Sequence, residues 1–163
     1  MNESVIVAEN LEKHYRRAGA DVHAVRGVSL HVARGEYLAV VGPSGSGKST
    51  LLTLLGGLDQ PSAGRITLMG QSIAGISDRR LTRLRLEHIG FVFQRFHLLP
   101  VLTAAENIEL PRVEAGLPRL SRHARVRDLL EYVGLPGRAA HRASELSGGE
   151  MQRIAIARAL ANR

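Results

Sequence analysis

The sequence predicts an α/β fold with a parallel core, an antiparallel β subdomain and a helical insertion. Three stretches carry that prediction. Leu38 to Val41 is a short apolar run that breaks into a glycine-rich loop and then into the helix-forming run Leu51 to Leu55. Ahead of it, residues 4–32 alternate apolar and polar positions, as half-buried strands do. Behind it, residues 95–145 carry helical periodicity and caps instead.

Taken in order, the first strand spans 4–12, with Val5, Val7 and Leu11 apolar among polar neighbours. Lys13 to Arg17 reads as the entry to a loop holding Gly19. The second strand spans 22–32, where Val22, Ala24, Val28, Leu30 and Val32 alternate after a shift near Gly27; Arg34-Gly35 is a turn. Two polar-faced strands before a buried one predict an antiparallel pair beside a parallel core. Leu38 to Val41 is the buried strand, and the helix after the loop covers 49–57, ending at Gly56-Gly57. Residues 59–64 form a turn, and Arg65 to Met69 a short strand closed by Gly70. Asp78 opens a basic helix with Leu81, Leu84 and His88 on one face. Ile89 to Phe93 is a second buried strand, ending at Gln94. Thr103 and Glu106 form a capping box on a short helix that Pro111 stops. Val126, Leu129, Leu130 and Val133 define a helix over 122–133, closed by Gly134. Ser147 and Glu150 cap a last helix, 151–162.

The loop is Gly42-Pro43-Ser44-Gly45-Ser46-Gly47, followed by Lys48, Ser49 and Thr50. This is G-x-x-x-x-G-K-[ST] between a strand and a helix, the context of a phosphate-binding P-loop. Glycines let backbone N–H groups turn inward onto phosphate oxygens. The helix N-terminus adds unpaired N–H groups and a partial positive charge. Lys48 supplies a full charge for the β- and γ-phosphates, and the Ser49 hydroxyl a ligand for Mg²⁺. The fold class is therefore a P-loop NTPase with a RecA-like core.

Two single residues are candidates with alternatives. Tyr15, in the loop after the first strand, either stacks on a base or is a half-buried strand-end tyrosine. Gln94, where a core strand meets a loop, either ligates a metal or orients a water, or is a polar strand terminus. Leu146-Ser147-Gly148-Gly149-Glu150 makes a second anion-binding helix N-terminus, informative beside the first loop though weak alone.

Composition narrows the class. No cysteine is present, which excludes disulfides and thiolate chemistry. No apolar run approaches the ~20 residues that span a bilayer, and the N-terminus lacks a signal-peptide pattern. The net charge of +7 rests almost wholly on arginine. Those arginines are scattered, at Arg79, Arg83, Arg122, Arg127, Arg142 and Arg158 among others, with no interleaved aromatics. They read as solvated helix faces, and no nucleic-acid partner is expected.

In family order, these motifs resemble the ATP-binding subunits of ABC transporters. GPSGSGKS at 42–49 is similar to the family's Walker A loop, Gln94 in FVFQ to its Q-loop, and LSGGE at 146–150 to its signature motif, followed by QRIAIARAL at 152–160. Tyr15 falls where the family stacks an aromatic on adenine. LLGGLDQP at 54–61 and HLLPVLTAAENIELP at 97–111 resemble the lipoprotein-release and macrolide-export branch.

The resemblance implies a head-to-tail dimer of two ATP-binding subunits, each ATP held between one subunit's Walker A loop and the other's signature, Leu146 to Glu150. It implies Lys48 and Gln94 as catalytic residues, ATP as substrate, and Mg²⁺ held by Ser49 and Gln94. It implies an integral membrane permease contacted near the Q-loop and helical segment, with the chain at the cytoplasmic face of the membrane. The expected division is 1–94 for the nucleotide-binding core with its β subdomain, 95–145 for the helical subdomain, and 146–163 for the signature and its helix. The family's Walker B carboxylates and switch histidine would fall after Arg163, so the chain reads as an N-terminal fragment, inactive alone, whose strands 38–41 and 89–93 lose neighbours. Two other readings are a soluble ABC-type ATPase of translation or DNA repair, and a catalytically dead nucleotide-binding fragment.

Overall fold

A computed structural model describes residues 4–17 and 20–162, which fall into two compact units, 1–81 and 82–163. Gly19, expected in the first loop, lies outside the described residues.

In the first unit, β1 (Ser4–Arg17) and β2 (Ala20–Ala33) pair antiparallel, with Val7 opposite His31 and Tyr15 opposite Val22. β1 also pairs with β3 (Ala63–Leu68), Ala8 opposite Ile66, and β3 with the two-residue β4 (Gln71–Ser72). The order is β2-β1-β3-β4. The expected antiparallel pair is present and longer than its apolar pattern. Lys13 to Arg17, read as loop, is strand: pairing with β2 satisfies its backbone, and a run of Lys-His-Tyr-Arg-Arg has no hydrophobic alternation to read. Tyr15 is thus a strand residue.

α1 (Lys48–Leu55) packs on β1 and β2 and buries Leu51, Leu54 and Leu55. With Ala8, Leu11, Val25, Ile66, Leu68 and Ile73 they form the core of this unit. Full burial of a leucine such as Leu54 contributes about 1.5–3 kcal/mol, so this face fixes α1, and with it the loop before α1, to the sheet.

The segment expected as the first buried strand is neither strand nor buried. Leu38 is 45% and Val41 87% exposed, and the segment joins no ladder among the described residues. Ile89 to Phe93 behaves alike, with Val92 50% exposed. A strand exists through its neighbours, and neither run finds one here. Every ladder among the described residues is antiparallel; the expected parallel core is not formed by them.

α2 (Asp78–His88) buries Leu81 and Leu84, as its spacing predicts. The second unit holds α3 (Ala104–Glu114), α4 (Arg119–Tyr132) and α5 (Gly148–Ala159), which pack pairwise around Ile108, Val126, Leu129, Leu130, Leu146 and Ile154. Pro111 does not stop α3, which continues to Glu114. Its missing N–H forfeits one helical bond, but the capping box at Thr103 and the fully buried Ile108 hold the helix through it. α4 starts three residues before the expected start at 122, after Pro118, and places Val126, Leu129 and Leu130 in the core as spaced.

No helix among the described residues is long and apolar enough to cross a membrane.

Candidate functional site

The glycine loop enters α1 through Gly47, whose φ of +87° only glycine adopts readily. A Cβ there would lie 2.1 Å from the Ala24 carbonyl oxygen on β2, so the loop backbone is pressed against the sheet. No side chain caps this end of α1, and its first turn carries no acidic residue. The N–H groups there remain available to an anion.

Gly42 to Ser46 and Ser49 are exposed, whereas Lys48 and Thr50 are half-buried. Lys48 folds back over the loop: Nζ donates to the Gly42 carbonyl at 2.8 Å and the Pro43 carbonyl at 2.7 Å, with Ser46 Oγ at 3.5 Å. Its charge is thereby held at the mouth of the loop, on acceptors that a phosphate oxygen could replace.

Tyr15 is 38% exposed, and its hydroxyl is fixed. It donates to Asp59 Oδ2 at 2.9 Å, while Lys13 Nζ donates to Asp59 Oδ1 at 2.7 Å and lies 5.0 Å from the Tyr15 ring centroid. Partial burial and then the Asp59 carboxylate raise the Tyr15 pKa; the Lys13 charge, and after it a hydrogen bond with Thr50, offset part of that rise. For Asp59, burial pushes the carboxyl up, but hydrogen bonds from Lys13, Tyr15 and the Gln60 N–H outweigh it and leave the pKa lowered. Sequence reading missed Lys13 and Asp59: the partners stand 46 residues apart, beyond any local pattern.

In the second unit, Gln94 is exposed and sits in a turn, after an unpaired segment and not at a strand end. The signature motif folds as its residues predict. Ser147 caps α5: its Oγ accepts from the Glu150 N–H at 3.3 Å and donates to Glu150 Oε2 at 2.9 Å, and the Ser147 N–H donates to the same oxygen at 2.8 Å. Leu146 is buried, and Ser147, Gly148 and Gly149 are exposed. Arg138, absent from the sequence reading, donates to Glu150 Oε1 at 2.7 Å. The Ser147 N–H, then Arg138 and the Ser147 hydroxyl, hold the Glu150 carboxyl far below the usual range, at about 2.

The arginines are not all solvated faces. Arg122 reaches the Leu117 carbonyl and Glu109, Arg112 the Ala161 carbonyl and Arg125 the Leu160 carbonyl.

An α/β chain with a glycine loop on a helix N-terminus, a lysine at its mouth and a second capped glycine turn has the layout of the P-loop class. The ABC transporter family model matches residues 25–163, and the chain belongs to that family. It is 53% identical to an ABC transporter ATP-binding protein of Thermotoga maritima, over 92% of this chain and 64% of that one. It is 48% identical to the macrolide export ATP-binding/permease protein MacB 2 of Aeromonas hydrophila, over 99% of this chain and 25% of that one. To the lipoprotein-releasing system ATP-binding protein LolD 2 of Caulobacter vibrioides it is 47% identical, over 100% of this chain and 72% of that one. Among solved structures, the ATP-binding cassette MJ0796, dimeric and bound to ADP and Pi, superposes with a TM-score of 0.91 at 40% identity, over 96% of this chain and 69% of that one. The chain thus spans about two thirds of the first of these relatives and a quarter of the second.

Proposed function

We propose that this chain forms the nucleotide-binding part of an ABC-type ATPase that powers export or lipoprotein release through a membrane partner. The observation that carries the reading is the Gly42–Thr50 loop on an uncapped helix N-terminus with Lys48 at its mouth. The loop N–H groups and Lys48 bind the phosphates. Ser49 and Gln94 offer hydroxyl and amide oxygens, the hard donors Mg²⁺ prefers, and the ion neutralises charge on the transferred phosphoryl group. The dimeric MJ0796 cassette supports a second subunit whose signature, the counterpart of Leu146 to Glu150, closes each site. The relatives named for macrolide export and lipoprotein release support a permease as partner and a place at the cytoplasmic face of the membrane. On this reading 1–94 is nucleotide-binding core with its β subdomain, 95–145 helical subdomain, and 146–163 signature with its helix.

The deciding experiment measures Mg²⁺-dependent phosphate release by the full-length protein assembled with its membrane partner. Turnover that Lys48→Ala abolishes is expected; turnover indifferent to Lys48 would remove the reading.

Two predictions refine it. If adenine stacks on Tyr15, Tyr15→Ala loses roughly 1–3 kcal/mol of ATP affinity. Tyr15→Phe keeps the ring but removes the hydroxyl that donates to Asp59, so it restores only part of that loss; calorimetry separates the two. Equal affinity for wild type and Tyr15→Ala returns Tyr15 to a strand residue. The second prediction concerns the partner. His97→Cys should crosslink to cysteines placed in the partner's cytosolic loops, with no native cysteine in this chain to confuse the product. Crosslinks confined to remote surface positions would move the interface elsewhere.

A further inference from the structure

The turn after Gln94 is strained. Phe96 and His97 both hold positive φ, 50° and 48°, without being glycine. Each such residue is unfavourable unless its surroundings enforce it. Here one side chain does so. Arg158, on α5, donates from Nη1 to the His97 carbonyl at 2.5 Å and from Nη2 to the Phe96 carbonyl at 2.6 Å. The planar guanidinium fork presents its two terminal nitrogens at a fixed separation, one to each of the adjacent carbonyls. The turn is closed from its own side by the Phe96 N–H on the Phe93 carbonyl at 3.1 Å, and by the Phe93 ring edge-on to His97.

Further along, a second polar anchor takes over. Asn107 on α3 is 1% exposed, accepts from the Leu99 N–H at 2.8 Å and donates to the Leu99, Leu102 and Thr103 carbonyls. Segment 96–103 therefore hangs from α5 through Arg158 and from α3 through Asn107, and those helices pack on each other. Arg158 lies ten residues along the helix that begins at Gly148, beside the Ser147 cap. At 1.5 Å per residue, a rigid rod of about 15 Å joins the turn to the signature motif.

We propose that Arg158 is a positioning residue that makes the Phe96–His97 turn and α5 one rigid body, so that a displacement at Gln94 carries Ser147 to Gly149 with it. Its consequence for turnover rests on the proposed function; the rigidity itself does not.

The test replaces Arg158 by Ala and by Lys in the full-length protein assembled with its membrane partner, with Arg153→Ala, an exposed change on the same helix, as control. Amide hydrogen exchange at Phe96 and His97 should quicken by roughly 100-fold in Arg158→Ala, the loss of two charge-assisted bonds, while Ile154 to Ala157 keep their protection. Arg158→Lys, which keeps the charge but lacks the rigid planar fork, should fall between Ala and wild type. In the same samples the KM for ATP should stay unchanged and partner-stimulated kcat should fall. Unchanged exchange at Phe96 and His97 in Arg158→Ala overturns the proposal. So does full rescue by Lys, which would make charge alone sufficient, or loosening that spreads equally through α5, which would make Arg158 a general stabiliser. Should Arg158→Ala not fold, Arg158→Lys decides by the same exchange. Absence of turnover in the wild type would instead count against the proposed function and leave the exchange result standing.

Discussion

Replacing Lys48 with alanine is expected to weaken ATP and ADP binding by roughly 10²–10³-fold, as two charge-assisted hydrogen bonds are lost. Lys48 Nζ now donates to the Gly42 and Pro43 carbonyls, so the side chain already holds the loop mouth together before any nucleotide arrives. On the proposed function, a phosphate oxygen would take over part of that coordination, being charged and so a better acceptor than a carbonyl. The alanine variant loses both the phosphate contact and the staple. The loop N–H groups at the start of α1 remain, so binding is weakened and not abolished. Titration calorimetry with ATP, ADP and adenosine on wild type and variant checks this. The two phosphorylated ligands should lose affinity together and adenosine should not. Equal losses for all three would mean that the variant had collapsed the site, and no loss would remove Lys48 from the phosphate contact.

The motifs were legible in the sequence because their chemistry is local. A phosphate loop needs its glycines and lysine at fixed spacing, and a capping box needs Ser147 and Glu150 three residues apart, so both can be read without knowing the fold. Helix faces were legible for the same reason: Val126, Leu129 and Leu130 sit at one helical spacing and share one core. What escaped was decided by partners distant in sequence. Leu38 to Val41 is apolar enough for a strand, yet pairing, and not composition, decides whether a strand forms. Lys13 to Arg17 is the converse, polar enough for a loop and yet paired with β2. Arg158 looked like any helix-surface arginine, because the carbonyls it holds lie 61 and 62 residues away. Asp59, which fixes the Tyr15 hydroxyl, was hidden for the same reason.

The largest loss of stability is expected from Gly90→Ala. Gly90 follows α2 and leads into the segment ending at Gln94. A Cβ built on it would stand 2.1 Å from the Ala159 oxygen, 2.8 Å from the Ala159 carbonyl carbon and 3.1 Å from its Cα. All three are main-chain atoms in the last turn of α5, so no side-chain rotation relieves the overlap. The backbones must part, and the bonds that depend on their approach go with them. The Asn162 side-chain amide donates to the Leu86 carbonyl at 2.9 Å and the Pro111 carbonyl at 3.2 Å, joining α2, α3 and the end of α5. Overpacking of this kind costs about 3 kcal/mol. Gly137→Ala is the matched control, since a Cβ there meets nothing within 4 Å and its backbone is not left-handed. That change should stay within about 0.5 kcal/mol of wild type. Urea unfolding of the full-length protein, followed by far-ultraviolet circular dichroism, compares the two. A midpoint for Gly90→Ala well below that of Gly137→Ala is expected. Coincident midpoints would mean that the chain at Gly90 does not lie against the last turn of α5.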